Sequence, residues 1–211
     1  MNMPLTLPGP APTEFPPSRN MEGCEFVDGD WRPRHPDNPP NHYPYRDNHE
    51  FVDGEWVELH MSMRSDYVGG TLFAALRDYT RRTKAGRAQN CKCGYQCFPD
   101  DPRRVRLPDA SFIVAARVTQ EVRDAGNCPI APDFAAEVIS PNDEASALNR
   151  KVHEYLAAGV RLVWLVYPET KSVWVLRANG TGVWFRGAGE LSGDDLMPGF
   201  TITLDTLFAE D

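Results

Sequence analysis

Two carboxylates in the middle of the chain have the types and placement that metal-assisted phosphoryl chemistry needs. Asp109 opens the strand-like segment DASFIVAA, and Glu137 lies within PDFAAEVISP. Alternate side chains of a strand share a face, so Glu137 stands between Ala135 and Ile139, where a carboxylate is out of place in an apolar core. Neighbouring strands lie about 4.8 Å apart, so two carboxylates at matched register can reach one hard cation such as Mg²⁺.

The sequence alone leaves two interpretations of Glu137 open. It either satisfies a buried arginine or a backbone end, or it shares a divalent cation with Asp109, because Mg²⁺ is commonly held by one or two carboxylates plus water and phosphate oxygens. Asp133 lies four residues before Glu137, which is about 13 Å along a strand. That distance is too long for a shared ion, so we interpret Asp133 as a strand-entry residue.

Lys151 is the third candidate for this chemistry. It lies three residues after Leu148 and four before Tyr155 on a predicted helix over about 143–158, so it borders the apolar stripe of that helix. Its ammonium can therefore lean toward the sheet. The alternative is a lysine whose stem covers apolar surface while its charge stays in water.

Hydrophobic periodicity predicts the elements that must position these residues. An apolar stripe from Val68 to Tyr79 predicts a helix over about 67–84. Apolar segments predict strands over 89–98, 109–116, 133–140 and 161–167, followed by the meander strands SVWVLR and VWFR. The order of helix, three strands, helix, strand and C-terminal β-meander indicates an α/β fold with a mixed central sheet.

The front of the chain has a different composition. Of the 19 prolines, 11 fall in residues 1–44, a density that disfavours regular structure. EFVDGDW at 25–31 and EFVDGEW at 50–56 form a short repeat, and the Asp-Gly pair in each copy predicts a type I′ β-hairpin. We therefore expect an acidic, proline-rich and partly disordered extension over 1–47 and one domain over 48–211.

The net charge of −8 disfavours general nucleic-acid binding, but residues 77–106 hold nine basic and three acidic side chains. Such a patch suits phosphate contacts, and the alternative is an ordinary solvated face. The candidates for phosphate contacts are Arg77, Arg81, Lys84, Arg103, Arg104 and Arg106. The chain shows neither an apolar run of about 20 residues nor a signal-peptide pattern, so we expect a cytoplasmic protein without a membrane partner.

Three cysteines form a rival site. Cys91, Cys93 and Cys97 share a face of the predicted strand and could begin a zinc site, but the fourth ligand is missing locally and Cys128 or a histidine would have to be recruited. We favour small, half-buried strand residues over Zn²⁺ here. No Gly-rich phosphate loop, HExxH or GxSxG occurs, which leaves nucleotide hydrolases, zincins and serine hydrolases without support.

Five segments in order resemble the Uma-type family of restriction-endonuclease-like proteins, in the PD-(D/E)XK nuclease superfamily. They are PDASFIV, APDFAAEVISP, KVHEYLAAGV, WLVYPETKSVWVLR and DDLMPGF, and the resemblance covers about residues 48–208. It implies a restriction-endonuclease-like αβββαβ core and phosphodiester hydrolysis that depends on Mg²⁺, with Mn²⁺ as a substitute. It also implies that Asp109, Glu137 and the carbonyl of Val138 hold the metal and that Lys151 assists catalysis.

The sequence departs from the family pattern at several positions. The superfamily lysine usually stands two residues after the strand glutamate, where this chain has Ile139, and the resemblance maps that lysine onto Lys151. Ala147, Tyr167 and Gly69 replace residues that many relatives have as Asp, Asp and His. These departures put activity in question more than fold.

The resemblance also implies partners. The expected substrate is nucleic acid, and DNA before RNA, while a homodimer is implied by the resemblance alone. The competing hypothesis is a catalytically weak or inactive nuclease fold that serves as a DNA-binding or interaction module.

Overall fold

The computed structural model describes residues 48–141 and 143–210, together with the backbone of two short strands near the N-terminus. These strands, β1 (Cys24–Val27) and β2 (Asp30–Pro33), pair antiparallel, with Val27 opposite Asp30. The hairpin predicted for the first copy of the repeat is therefore present. The rest of the predicted proline-rich extension lies outside the described residues. The chain divides into two units, Met1–Pro44 and Tyr45–Asp211, and all elements described below belong to the second unit.

The second copy of the repeat forms the hairpin of β3 (His49–Val52) and β4 (Glu55–Glu58). Asp53 and Gly54 connect the strands with φ of 53° and 88°, the positive values that a type I′ turn requires and that Asp-Gly tolerates. Phe51 and Val105 exchange backbone hydrogen bonds of 3.1 and 2.9 Å. This bridge holds β3 against the loop that leads into the central sheet.

Helix α1 (Met63–Thr83) begins four residues earlier than predicted. Its N-cap is Ser62, whose hydroxyl accepts a hydrogen bond from the N–H of Ser65, and Lys84 ends the helix in a left-handed conformation. The predicted apolar stripe is buried against the sheet. Since the first turn is fixed by a serine cap that apolar periodicity does not report, the predicted start fell too late.

Six strands form the central sheet, in the order β10-β9-β8-β7-β6-β5. They are β5 (Gly86–Asn90), β6 (Ala110–Val114), β7 (Phe134–Val138), β8 (Leu162–Tyr167), β9 (Ser172–Arg177) and β10 (Gly182–Phe185). β7 and β8 run parallel, and the other neighbouring pairs run antiparallel. The parallel pair needs a crossover, which α3 (Ala145–Ala157) supplies.

The two faces of the sheet carry separate layers. Phe134 and Ala136 of β7 pack on the α1 side, whereas Ala135 packs with Tyr155 of α3 on the other side, as alternation along a strand demands. The hairpin of β11 (Glu190–Ser192) and β12 (Thr201–Thr203), with the short helix α4 (Leu204–Leu207), completes the α1 side. A 3₁₀ turn (Ala115–Arg117) and helix α2 (Gln120–Asp124) follow β6. The mixed α/β architecture and central mixed sheet predicted from the sequence are confirmed.

The predicted strand over 89–98 is wrong beyond Asn90, where β5 ends in a turn. Tyr95 then enters the core through bridges to Arg106 and Cys128, and its hydroxyl lies 2.7 Å from the Ser111 hydroxyl. Gly94 passes close to Asn127, where a Cβ would lie 2.5 Å from the side-chain oxygen. Tertiary contacts thus decide the path of this segment.

Candidate active site

Lys151 lies between two carboxylates from different elements. Its Nζ is 2.9 Å from Oε2 of Glu137 on β7 and 2.9 Å from Oε1 of Glu50 on β3. Lys151 is on α3, which crosses the sheet directly after β7, so the crossover brings the lysine back over the strand that carries Glu137. The side chain of Lys151 is 12% exposed. Its ammonium is therefore an internal counter-ion and does not reach out to solvent.

Glu137 has a second partner on the same helix. The hydroxyl of Tyr155 donates a hydrogen bond of 2.6 Å to Oε1 of Glu137, so both carboxylate oxygens are bound from α3. Lys151 and Tyr155 are four residues apart, which places them on one helix face. The structure thus gives Glu137 a lysine and a tyrosine as partners, and no arginine among the described residues takes that place.

Asp109 stands at the end of the sheet beside Glu137. Ala110 pairs with Ala136, so Asp109 comes opposite Glu137 one step further along the antiparallel ladder. Oδ2 of Asp109 accepts a hydrogen bond of 2.6 Å from the backbone N–H of Val138. A Cβ added to Gly69 of α1 would lie 3.7 Å from Cβ of Asp109, so Gly69 faces this aspartate.

Burial leaves these carboxyl groups hard to ionise. Burial raises the pKa of Asp109 to about 6, against the opposing effects of the Val138 N–H and Lys151. Burial also raises the pKa of Glu137 to about 7, and repulsion by Asp109 and Glu50 adds to the rise while Lys151 opposes it. Both groups therefore titrate near neutral pH, where a nearby positive charge decides whether they are ionised.

The pKa values of Glu50 and Lys151 shift toward their charged forms. Burial raises the pKa of Glu50, but Lys151, Arg106 and the N–H of Leu107 outweigh it and lower that pKa below its ordinary value. Burial lowers the pKa of Lys151, but Glu137 and Glu50 outweigh it and raise that pKa. A carboxylate and an ammonium thus persist side by side inside the protein.

Arg106 connects Glu50, the partner of Lys151, with a second buried carboxylate, Glu154. It donates 2.7 Å hydrogen bonds to Oε2 of Glu50 and to Oε2 of Glu154. Arg104 is buried as well and donates two hydrogen bonds, of 2.8 and 2.7 Å, to Asp100. Since both arginines lie inside the protein with carboxylate partners, we leave them out of the predicted phosphate-binding set.

The other predicted phosphate contacts remain at the surface. Arg77, Arg81 and Lys84 line a cleft of about 380 Å³ at the C-terminal end of α1, together with Arg87 and Arg123. Arg103 is exposed near Asp101, at 3.6 Å. The cleft has five cationic lining residues and no acidic one among those that the structure describes, so it suits an anion.

A second cleft, of about 370 Å³, opens over Glu50, Glu137 and Lys151. Val138 and Ala147 also line it, so the predicted backbone ligand and one departure from the family pattern lie at this cleft. Tyr167 stands elsewhere, at the end of β8. We call this the catalytic cleft below.

The cysteines of the described part of the chain belong to no group that could hold a metal ion. In the part of the chain that the structure describes, no three His, Cys, Asp or Glu residues converge as they would around a metal ion. Cys91, Cys93 and Cys97 are half-buried, Cys128 is buried, and all four thiols are free. Burial raises the pKa of Cys93 and of Cys97 to about 12, so these thiols stay protonated at neutral pH.

Sequence reasoning missed Glu50, Tyr155 and Arg106 as neighbours of the candidate site. Glu50 belongs to the repeated EFVDG segment, and it is 3% exposed although Phe51 and Val52 beside it are buried as well. Alternation along the strand would place Glu50 on the face opposite Phe51, so local pattern gave no signal that this carboxylate is buried. The contact with Lys151 depends on how β3 docks on the sheet, which local pattern does not report.

The chain is similar to known nuclease-like proteins in sequence and in fold. A model of the family described as "Uma2: Putative restriction endonuclease" matches residues 41–205. The crystal structure of "a putative nuclease belonging to DUF820 from Anabaena variabilis ATCC 29413" superposes with a TM-score of 0.66, covering 79% of this chain and 93% of that one at 18% identity. At this identity the likeness establishes the fold alone. No curated protein matches, and no described helix is long and apolar enough to cross a membrane.

Proposed function

The chain belongs to the family described as Uma2 putative restriction endonucleases, and on that premise we propose that it is a divalent-metal-dependent endonuclease that hydrolyses phosphodiester bonds in DNA. One observation carries the proposal. Glu137 is a buried strand carboxylate that faces Lys151 at 2.9 Å, and Asp109 comes opposite it, one position beyond the pair of Ala110 and Ala136. A carboxylate pair with an adjacent ammonium can bind a cation and stabilise a phosphate that gains negative charge.

The residues present fit a divalent cation by the chemistry of their donors. Asp109 and Glu137 would supply carboxylate oxygens, and Val138, next to Glu137 in the chain, would supply a backbone carbonyl. These are hard ligands of the kind that Mg²⁺ and Mn²⁺ prefer. Burial is the largest cause of the raised pKa values of Asp109 and Glu137, so their ionised forms lack the solvation that water would give. A bound divalent ion would stabilise those ionised carboxylates, polarise the scissile phosphate and lower the pKa of water.

The chain's own residues have separate tasks in this proposal. Lys151 holds Glu137 in place and presents a permanent positive charge at the catalytic cleft, where it stabilises charge that develops on the phosphate. Tyr155 fixes the orientation of the Glu137 carboxylate through its 2.6 Å hydrogen bond. Glu50 keeps Lys151 charged and positioned. Arg77, Arg81 and Lys84 contact the phosphate backbone away from the reaction and position the substrate.

The test is nicking of supercoiled plasmid in Mg²⁺, in Mn²⁺ and in EDTA. We expect wild type to nick only with metal, and Glu137→Gln, which keeps the shape and the Tyr155 partner, to be about 100-fold slower or worse. Glu190→Gln is the matched control, because Glu190 is an exposed strand glutamate on β11, and it should behave like wild type. Nicking in EDTA, or equal rates in Glu137→Gln and wild type, would contradict the proposal.

A second candidate function is supported by the two hydrogen bonds that α3 makes to Glu137. Because Lys151 and Tyr155 bind both of its oxygens, a nuclease fold in this arrangement also suits a module that binds nucleic acid without cutting it. Metal-independent binding with no nicking in any metal would favour this function.

A further inference from the structure

Three aromatic side chains form a partly open surface at the β10 edge of the sheet. The rings of Tyr167 and Trp184 are stacked with centroids 5.4 Å apart, and Trp174 lies 5.8 Å from Trp184. Trp174 and Trp184 are 39% and 42% exposed. We call Tyr167, Trp174 and Trp184 the aromatic surface. Large aromatic rings usually bury far more of their area, so the exposed rings of this surface are available to bind a partner.

The register of the sheet places the aromatic surface on the same face as Glu137. Glu137 pairs with Leu165, and Leu165 pairs with Trp174. Trp174 in turn pairs with Trp184. Residues that pair across strands share a face, and strands lie about 4.8 Å apart, so Trp174 and Trp184 stand roughly 10 and 14 Å from Glu137 across the sheet.

Ile139 lies between the catalytic cleft and the aromatic surface. Ile139 lines the catalytic cleft and also a smaller depression of about 80 Å³, whose walls include Tyr167. Tyr167 then stacks on Trp184. A chain that leaves Glu137 past Ile139 therefore meets the aromatic rings.

Gly182 and Arg186 lie next to these rings. A Cβ at Gly182 would lie 2.7 Å from Nε1 of Trp174, so glycine at this position lets the indole lie over the edge strand. The guanidinium of Arg186 lies 5.6 Å from the ring centre of Trp184, which adds a positive charge beside the stacked rings. Aromatic faces with an adjacent arginine suit bases and phosphates of an unpaired strand.

We propose that the aromatic surface binds unpaired bases of a single-stranded nucleic-acid segment that continues into the catalytic cleft. This rests on the proposed function for the phosphate at Glu137 and names its substrate class as nucleic acid with an unpaired segment beside the scissile bond. The separation of roughly 10–14 Å across the sheet is short enough for a few nucleotides of one strand to connect the phosphate at Glu137 with the rings. Arg186 then faces a phosphate of that segment.

The experiment compares binding of a fluorescein-labelled oligothymidylate with binding of a blunt duplex of equal length, by fluorescence anisotropy in EDTA. For Trp174→Ala/Trp184→Ala we expect single-strand affinity to fall about tenfold or more, since stacked bases are lost, while duplex affinity changes by less than about threefold. Val183→Ala is the matched control. Val183 is 43% exposed on the same strand but points to the opposite face, so neither affinity should change.

Replacement by phenylalanine separates stacking from folding. Trp174→Phe/Trp184→Phe keeps ring faces and should stay within about threefold of wild type for the single strand. Equal weakening for single strand and duplex, or none for either, would overturn the proposal. So would a wild-type dimer that dissociates in the alanine variant with unchanged nucleic-acid binding, because the surface would then join two copies. If the alanine variant fails to fold, the deciding measurement is how far added single strand quenches the tryptophan emission of the protein. This quenching should be smaller in Trp184→Phe than in wild type, and an unchanged quenching would overturn the proposal.

Because these measurements exclude metal, they do not depend on cleavage. If the tryptophan variants lose single-strand binding and wild type never nicks DNA, the proposed binding role of the aromatic surface is supported and the proposed endonuclease activity is contradicted. If wild type nicks DNA and the tryptophan variants bind the single strand normally, the endonuclease activity is supported and the binding role is contradicted.

Discussion

Nζ of Lys151 lies 2.9 Å from Oε2 of Glu137, so a helix and a strand of the central sheet are joined by an internal ion pair. The family resemblance maps the superfamily lysine from the strand onto the following helix, and Ile139, two residues after Glu137, is an apolar residue that lines the cleft. The geometry makes a lysine on α3 able to serve the same carboxylate.

Replacing Lys151 with methionine should abolish nicking while the chain still folds at low pH. The substitution leaves the carboxylates of Glu50 and Glu137 buried without the ammonium, which costs about 3–5 kcal/mol when both are ionised. Near pH 5.5 the cost should shrink, because Glu137, with a pKa of about 7 in the presence of the lysine, is then protonated. Urea denaturation at pH 5.5 and pH 8, beside nicking assays, checks both effects.

The matched control is Lys171→Met, since Lys171 lies in the turn after β8 and is exposed. It should leave stability and nicking near wild type. Equal stability losses for Lys151→Met at the two pH values would show that the pair is not electrostatic in origin.

Arg106 should prove structural and not a phosphate contact. Arg106→Met leaves Glu50 and Glu154 buried without their shared guanidinium, so we expect a loss of about 3–5 kcal/mol in the free energy of unfolding. Arg103→Met, at an exposed position, should change it by less than about 0.5 kcal/mol. Urea denaturation at neutral pH measures both. A stable Arg106→Met protein with weakened DNA binding would restore Arg106 to the phosphate-binding set.

Much of the scaffold follows from local pattern. The stripe from Val68 to Tyr79 predicts α1, and Asp53-Gly54 predicts the β3–β4 turn. The single carboxylate in the apolar run of β7 singles out Glu137, because alternation along a strand is a local property. These features can be predicted without knowing the tertiary packing.

The parts that sequence could not supply depend on long-range docking. Glu50 reaches Lys151 because the bridge between Phe51 and Val105 holds β3 in place. The same docking turns Arg104 and Arg106 inward, so a count of basic residues overstated the basic surface. The strand predicted over 89–98 failed because the core position of Tyr95 overrides local strand propensity.

The pH dependence of stability should differ between wild type and Glu137→Gln. The folded pKa values of Asp109 and Glu137, about 6 and about 7, lie above their ordinary values. The folded protein thus keeps protons that the unfolded chain has lost, and this contribution to stability falls as pH rises from about 4 to about 7. Glu137→Gln removes the part of this pH dependence that comes from Glu137. The melting temperature of the variant minus that of wild type should therefore be higher at pH 8 than at pH 4.5.

Added Mg²⁺ extends this test. A cation that binds only the folded state raises its stability, so Mg²⁺ at pH 8 should raise the melting temperature of wild type and not that of Glu137→Gln. Scanning calorimetry gives both values. An equal rise in the two proteins would locate the ion away from Glu137.

The basic cleft at the end of α1 should set the salt dependence of DNA binding. Changing Arg77, Arg81 and Lys84 together to glutamine should weaken binding to all duplex sequences alike and flatten the log–log salt slope by about 0.9 for each lost contact. Arg64→Gln/Arg161→Gln is the control, because both arginines pair with surface carboxylates. An unchanged slope in the triple variant would mark the cleft as an ordinary solvated face.

The central claim is that Asp109 and Glu137 together support metal-dependent hydrolysis, and a Mn²⁺ titration of the single-turnover cleavage rate tests it most directly. Wild type and Glu190→Gln should show no cleavage without metal and a rate that saturates as Mn²⁺ increases, whereas Asp109→Asn and Glu137→Gln should stay at least about 100-fold below that plateau. Saturation of either carboxylate variant at the wild-type rate, with circular dichroism showing all four proteins folded, would contradict the account.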